Sequence, residues 1–353
     1  TQANAAAPPP SEDDHQAIAD IVRLVGGMPL ALELAASLTP YFPYTEIASI
    51  LSRDPGCLAS EAQNATPRHR DMRALLEESC RRLDSRQQRA LQSLSAFDGP
   101  FGAAAAAAVA GASLPLLRQL VDRSLVQPVG GRFTLHPLMR QFTRERCGDE
   151  LQELRRRQAE HYSAFLAARR DALNGRGQVE ATREIEAEFT NIAASWRWAA
   201  SHGRIDLIDA AAYPLFCFLT FRARFFEAEE LASIAIEAVA EAGTAHAGTA
   251  HRHALGGLLM HHFWVLSRLG RTRASLTTLG RINELFADGR QPRPGIGLDP
   301  RMAVAVVQIG AGNYAAGAAA AIPALESARE RGDESATAFA AWLAGIARLR
   351  EAR

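Results

Sequence analysis

His136 is the side chain in this sequence best placed to do chemistry. It stands between a strand-like run, Arg132-Phe133-Thr134-Leu135, and Pro137, a residue well suited to the first turn of a helix. A second strand-like piece, Leu125-Val126-Gln127, precedes it across Gly130-Gly131. Strand, glycine turn, strand is a hairpin signal. A histidine at a strand-to-helix junction can leave its domain and touch a neighbour, although a lone histidine there is more often a satisfied structural residue. Pro29 is the second such position. Gly26-Gly27 stops a helix, Met28 is pushed extended by the proline, and Pro29 starts the next helix.

Other chemistry is excluded by residue type. The chain contains no lysine, so all 39 basic residues are arginine. A Walker-A phosphate loop and Schiff-base catalysis both need that amine. His251, His253, His261 and His262 lie across a loop and a helix without a nearby cysteine or an obvious carboxylate partner, so no metal is expected. There is no nucleophile elbow, no HExxH and no glycine fingerprint after a strand. No enzyme is expected on this chain alone.

Stepping outward, the 353 residues have room for two or three domains. The formal net charge of zero removes any general pull toward nucleic acid or membrane. No apolar run reaches membrane-spanning length, and no secretory signal pattern opens the chain. The start at Thr1 without methionine points to a processed chain or a piece of something longer. Cys57, Cys80, Cys147 and Cys217 are scattered, which fits buried thiols in a reducing, cytoplasmic setting.

Periodicity then places the elements. Helices are expected near 15–25, 30–37 and 44–52, followed by a loop over 53–68. From Asp71 a tighter unit follows. Met72, Leu75, Leu76, Ser79 and Leu83 share one face, and Asp84 or Ser85 caps a helix buried through Ala90, Leu91, Leu94 and Phe97. Short helices over 102–110 and 113–122, the hairpin and a helix over 137–147 complete a winged helix. As a DNA reader its helix over 114–124 is poor, with Arg118, Gln119 and Arg123 set against Asp122, so direct DNA binding is not expected. Long helices are expected over 151–172 and 180–200. The Arg155-Arg156-Arg157 run reads as a solvated face beside Glu153 and Glu160. Turns at Phe221 to Phe226, Leu269 to Thr272 and Ala311 to Tyr314 then mark a loose repeat of tetratricopeptide-like helix pairs, which stack into a superhelix. A final helix is expected over 335–350.

The motifs, in this order, resemble those of a known family. Gly26-Gly27-Met28-Pro29-Leu30-Ala31 resembles the GLPLA motif of NB-ARC domains. Leu120 to Val126 is similar to the stretch entering that family's winged helix, and Arg132 to Arg140 to its MHDLVR motif. Glu186 to Ile192 with Trp196-Arg197-Trp198 resembles the signature that opens the helical repeats of bacterial members. The family is that of the bacterial STAND regulators, signal-transduction ATPases that include large LuxR-type and SARP-type transcriptional regulators. The resemblance implies a mainly α architecture with three parts: 1–68, the helical end of an NB-ARC-like nucleotide module; 69–148, the winged helix; and 149–353, a repeat sensor.

It further implies that Gly27, Pro29, Leu30 and His136 contact ADP or ATP held by an upstream nucleotide-binding domain. Pro29 would pack on the adenine and His136 would reach the β-phosphate of ADP. The segment itself, lacking a phosphate loop, should bind nucleotide weakly or not at all. Pro137 stands where the motif has aspartate. The repeats would bind a protein partner or a small-molecule inducer. The alternative expectation is a stand-alone winged-helix and repeat scaffold that binds protein or DNA without nucleotide.

Overall fold

The structure is a computed structural model. It describes residues 11–24, 42–53, 76–243 apart from 78, 248–287, 299–330 and 334–352, with a few isolated positions between. Two compact units divide between His161 and Tyr162. The first contains α1 (Glu12–Leu24) and α2 (Tyr44–Arg53), which pack on each other. It continues with α3 (Ser85–Leu94), α4 (Ala103–Ala110), α5 (Leu114–Asp122), β1 (Val126–Val129), β2 (Arg132–Leu135) and α6 (Pro137–Cys147). Helix α7 (Glu150–Ala167) runs across the division. The second unit holds α8 (Arg170–Leu173), α9 (Gln178–Ser201), α10 (Ile205–Phe221), α11 (Phe225–Gly243), α12 (Thr249–Arg268), α13 (Thr272–Leu285), α14 (Pro300–Gly310), α15 (Tyr314–Glu330) and α16 (Glu334–Glu351). The architecture is mainly α with one hairpin and a run of helix pairs, as the periodicity predicts.

The winged-helix elements follow from local chemistry. Asp84 caps α3 with a full capping box, its carboxylate accepting from the Arg86 and Gln87 amides while the Gln87 side chain accepts from the Asp84 amide. Gly111 ends α4 in the left-handed region. Gly130 and Gly131, at φ 57° and 76°, close the hairpin with two successive left-handed residues, the geometry a two-residue turn needs. The strands are antiparallel with Val126 opposite Leu135 and Val129 opposite Arg132. Phe101 adds a third, one-residue rung, exchanging both backbone hydrogen bonds with Phe133. Under this small sheet Phe97 stacks on Phe101 at 4.4 Å, and Leu91, Leu94, Leu117 and Leu120 are fully buried.

In the second unit four helices turn into the next by one recurring device. The chain leaves α9, α10, α12 and α14 through a left-handed residue, Gly203, Ala223, Gly270 and Gly312 in turn. The following amide then bonds back five residues, as Arg204 to Ala199, Arg224 to Leu219, Arg271 to Leu266 and Asn313 to Gln308. This is the closing bond of a Schellman motif. Ala223 is the odd member, since a side chain disfavours that conformation. The continuous helix expected over 151–172 is instead broken after Ala167, where the Arg169 guanidinium turns back over Phe165 at 3.4 Å and pairs with Glu184 at 2.6 Å. The last helices meet over alanine: Ala305, Ala321, Ala324, Ala328 and Ala340 are buried together with Met302 and Leu343.

Candidate functional site

The junction after β2 is built as the sequence suggests. His136 occupies the residue before α6, its carbonyl accepting from the Arg140 amide at 2.9 Å, and Pro137 begins the helix. The imidazole does not project from the domain, because the residue is only 6% exposed. Burial, with the nearby charge of Arg140 adding to it, pushes its pKa down to about 4, so the ring is neutral at physiological pH. A neutral imidazole is both donor and acceptor and is the form that tolerates burial.

Around that junction four arginines hold the segment after α3. Arg144 donates from Nε to the Ser95 carbonyl at 2.6 Å and from Nη2 to Asp98 Oδ1 at 2.7 Å. Arg140 donates to the Asp98 carbonyl and to the Leu135 carbonyl. Arg132 reaches the Pro100 carbonyl at 2.7 Å, and Arg155 of α7 reaches Asp98 Oδ2 at 3.0 Å. The Ser95, Asp98 and Pro100 carbonyls lie just beyond the C-terminal end of α3, where helix geometry leaves acceptors unfilled and the dipole favours cations. Asp98 is the node. Burial pushes its pKa up, but Arg144 and Arg155 outweigh that and hold it below the usual aspartate value. Through this node β2, α6 and the first half of α7 are clasped to one turn.

That clasp was not evident in sequence. Arg155 was expected on a solvated face with Arg156 and Arg157. The latter two do pair with Glu153 and Glu160 on their own helix, while Arg155 points elsewhere. The available signal was Arg140 and Arg144 four residues apart, facing one isolated aspartate.

Of the other nucleotide-contact positions, Gly27, Pro29 and Leu30 lie outside the described residues. Around the junction the described part offers one buried neutral imidazole, while the neighbouring arginines are engaged with carbonyls and Asp98. The exposed positions of α5 are Leu114, Pro115, Arg118, Gln119 and Asp122, with Gln119 further tied to Gln87 at 3.0 Å. Arg123, exposed at the C-cap, donates to the Arg82 carbonyl at 3.3 Å.

The repeat-opening stretch Glu186 to Trp198 joins helices. Glu186 pairs with Arg222 at 2.8 Å and Arg224 at 3.1 Å in the turn after α10. Phe189 lies under the Arg224 guanidinium at 3.8 Å and against Phe218 at 5.5 Å. Buried Glu188 accepts from the Tyr162 hydroxyl at 2.7 Å, and Trp196 donates to the Leu231 carbonyl of α11 at 2.9 Å. The stretch is a structural hub. Among the described residues no three His, Cys, Asp or Glu side chains are placed to share a metal. Burial raises the Cys80, Cys147 and Cys217 thiols, Cys217 to about 11, so none is a ready thiolate.

No family model matches the chain. Among curated proteins it is similar to the "Putative HTH-type transcriptional regulator Rv0890c" of Mycobacterium tuberculosis and to its counterpart Mb0914c of Mycobacterium bovis. Each is 30% identical over 201 residues, covering 54% of this chain and 23% of the relative. The chain therefore spans under a quarter of the length of these relatives. Among solved structures, the STAND protein PH0952 of Pyrococcus horikoshii, described as having a tetratricopeptide repeat sensor, aligns over 96% of this chain and 57% of its own at 16% identity. The TM-score is 0.33, too low to carry a structural argument. The sequence kinship is with bacterial transcriptional regulators.

Proposed function

We propose that this chain is the regulatory and sensing segment of a STAND-type, nucleotide-dependent switch that controls transcription. In this reading the winged helix couples to ADP or ATP held by an upstream nucleotide-binding domain, and the helical repeats receive a protein partner or a small inducer. The observation that carries it is His136. The residue matching the family's motif stands at the strand-to-helix junction, uncharged, on the helix whose arginines grip Asp98. The kinship with bacterial regulators and the order of the four motifs support the same reading. Pro137 in place of the motif's aspartate means that any carboxylate contribution at that turn is replaced by the clasp on the neighbouring loop. Catalysis is not assigned to this segment.

The test uses a protein carrying the upstream domain. His136→Ala should speed ADP release at least about 10-fold, the loss of one charge-assisted hydrogen bond worth roughly 1.5–3 kcal/mol. Unchanged ADP release would refute the nucleotide role. A stand-alone scaffold is the second reading, favoured by the burial of His136 within its own domain. Binding of this segment to duplex DNA with a steep salt dependence would support that reading.

A further inference from the structure

One helix of the repeats carries a stripe that its core does not use. His261, Trp264 and Arg268 fall at i, i+3 and i+7 on α12, so they share one face. Other helices bring rings to that face. Phe216 of α10 stacks on His261 at 5.0 Å and 20°. Phe339 of α16 meets Trp264 edge-on at 5.3 Å, and Trp342 stacks on Phe339 at 5.7 Å and 23°. The Arg268 guanidinium lies 5.6 Å from the Phe225 ring and 5.9 Å from Trp264. The contact from α12 to α16 passes α14, which is only 11 residues long.

Beyond the His261–Phe216 contact the stripe is not core packing. Phe216, Phe218 and Phe263 are the buried aromatics of the unit. By contrast Trp264, Phe225 and Phe339 are half-buried, Arg268 is exposed and Trp342 is 53% exposed. Arg197, Arg222, Arg224 and Arg271 each meet a glutamate. Among the described residues Arg268 makes no ion pair, and its guanidinium lies beside two rings. His261 Nε2 is buried and, among the described residues, without a hydrogen-bond partner.

Ring faces beside one exposed cation complement a flat aromatic ring bearing an anionic group. We propose that this stripe is a binding site for a planar aromatic anion, such as an aromatic carboxylate. The ring stacks on the Trp264, Phe339 and Trp342 cluster and the anion pairs with Arg268. The proposal rests on the repeats being the sensor and names the class of inducer. It is read by binding alone, so its failure is separable from a failure of the His136 nucleotide test.

The experiment titrates the full chain with 2-naphthoate and, separately, with its neutral isostere 2-naphthamide, following the four tryptophan indole N–H signals by NMR. The Trp264 and Trp342 signals should shift saturably with naphthoate, while Trp196, whose N–H is held by Leu231, stays still. Arg268→Gln should weaken naphthoate about 10-fold, one charge-assisted contact, and leave naphthamide unchanged. Trp342→Ala, at an exposed position that the fold does not need, should weaken both. Equal affinity for the two ligands, or no effect of Arg268→Gln, would overturn the proposal. Signals shifting evenly across all four indoles would overturn it too.

Discussion

Replacing Asp98 by asparagine isolates the clasp that holds the wing junction. The substitution keeps the side-chain shape and one carbonyl acceptor, and it removes the charge that Arg144 and Arg155 share. The three side chains are 22–28% exposed, between the surface and the buried limits. Exposed ion pairs contribute roughly 0–1 kcal/mol each, and removing one member of a fully buried pair costs about 3–5 kcal/mol. Two pairs at this intermediate depth give about 2 kcal/mol for Asp98→Asn. For a unit of this size that is a fall in Tm of roughly 4–8 °C. Urea unfolding followed by far-UV circular dichroism measures the loss. Tryptophan fluorescence supplies a control, because Trp196, Trp198, Trp264 and Trp342 all lie in the repeats.

A double-mutant cycle with Arg144→Gln tests the mechanism and should return a coupling of about 1 kcal/mol. The pH dependence follows with its sign. Asp98 is depressed in the folded state, so its contribution is present above the unfolded aspartate pKa and is lost as pH falls through the lower folded value. Below about pH 4 the wild type should therefore converge on Asp98→Asn. A coupling below about 0.3 kcal/mol, within additivity error, would refute the clasp.

Four further outcomes are expected. His136, with its folded pKa near 4 against an ordinary 6.5, takes a proton in the unfolded chain first. Stability should fall between those values, by up to about 3 kcal/mol, and His136→Asn should flatten that part of the pH–stability curve. At the left-handed turns the same exchange should act with opposite sign. Ala223→Gly, at φ 54°, should stabilise by about 0.5–1 kcal/mol and Gly270→Ala, at φ 71°, should destabilise by about 1 kcal/mol, both read by urea midpoint from tryptophan fluorescence. Gly256→Ala should be worse, roughly 1–3 kcal/mol, because the new Cβ would stand 2.5 Å from the Phe286 ring. Tyr162→Phe removes the 2.7 Å hydrogen bond to buried Glu188, leaving Asn191 as a donor at 3.5 Å, and should cost about 1–3 kcal/mol in the same fluorescence assay.

What the sequence made legible was whatever a short window can hold. The capping box at Asp84, the Gly130-Gly131 turn, the Pro137 start and the glycine-marked repeat turns are decided within four or five residues, and each appears where its local chemistry puts it. The Phe101–Phe133 rung and the Asp98 clasp depend on residues 32 to 57 positions apart, and no periodicity encodes such pairs. The aromatic stripe was hidden for a related reason. On α12 alone Trp264 reads as one more apolar residue at helical spacing, and it becomes part of a face only when α16 arrives. The histidines at 261 and 262 carry no metal-ligand pattern in the sequence, and their neighbours lie on other helices. Their helix buries one ring against Phe216 and directs the other among Glu229, Arg271 and Arg281.

The clasp around Asp98 is made only of guanidinium groups, in a chain without a single lysine amine. A guanidinium does not discharge below about pH 12, so alkali that would disarm a lysine pair leaves this one intact. Nor is there an ε-amine for an acetyltransferase or a ubiquitin ligase to modify there. Protonation can therefore loosen the grip on the wing junction from one side only, by taking the charge off the Asp98 carboxylate.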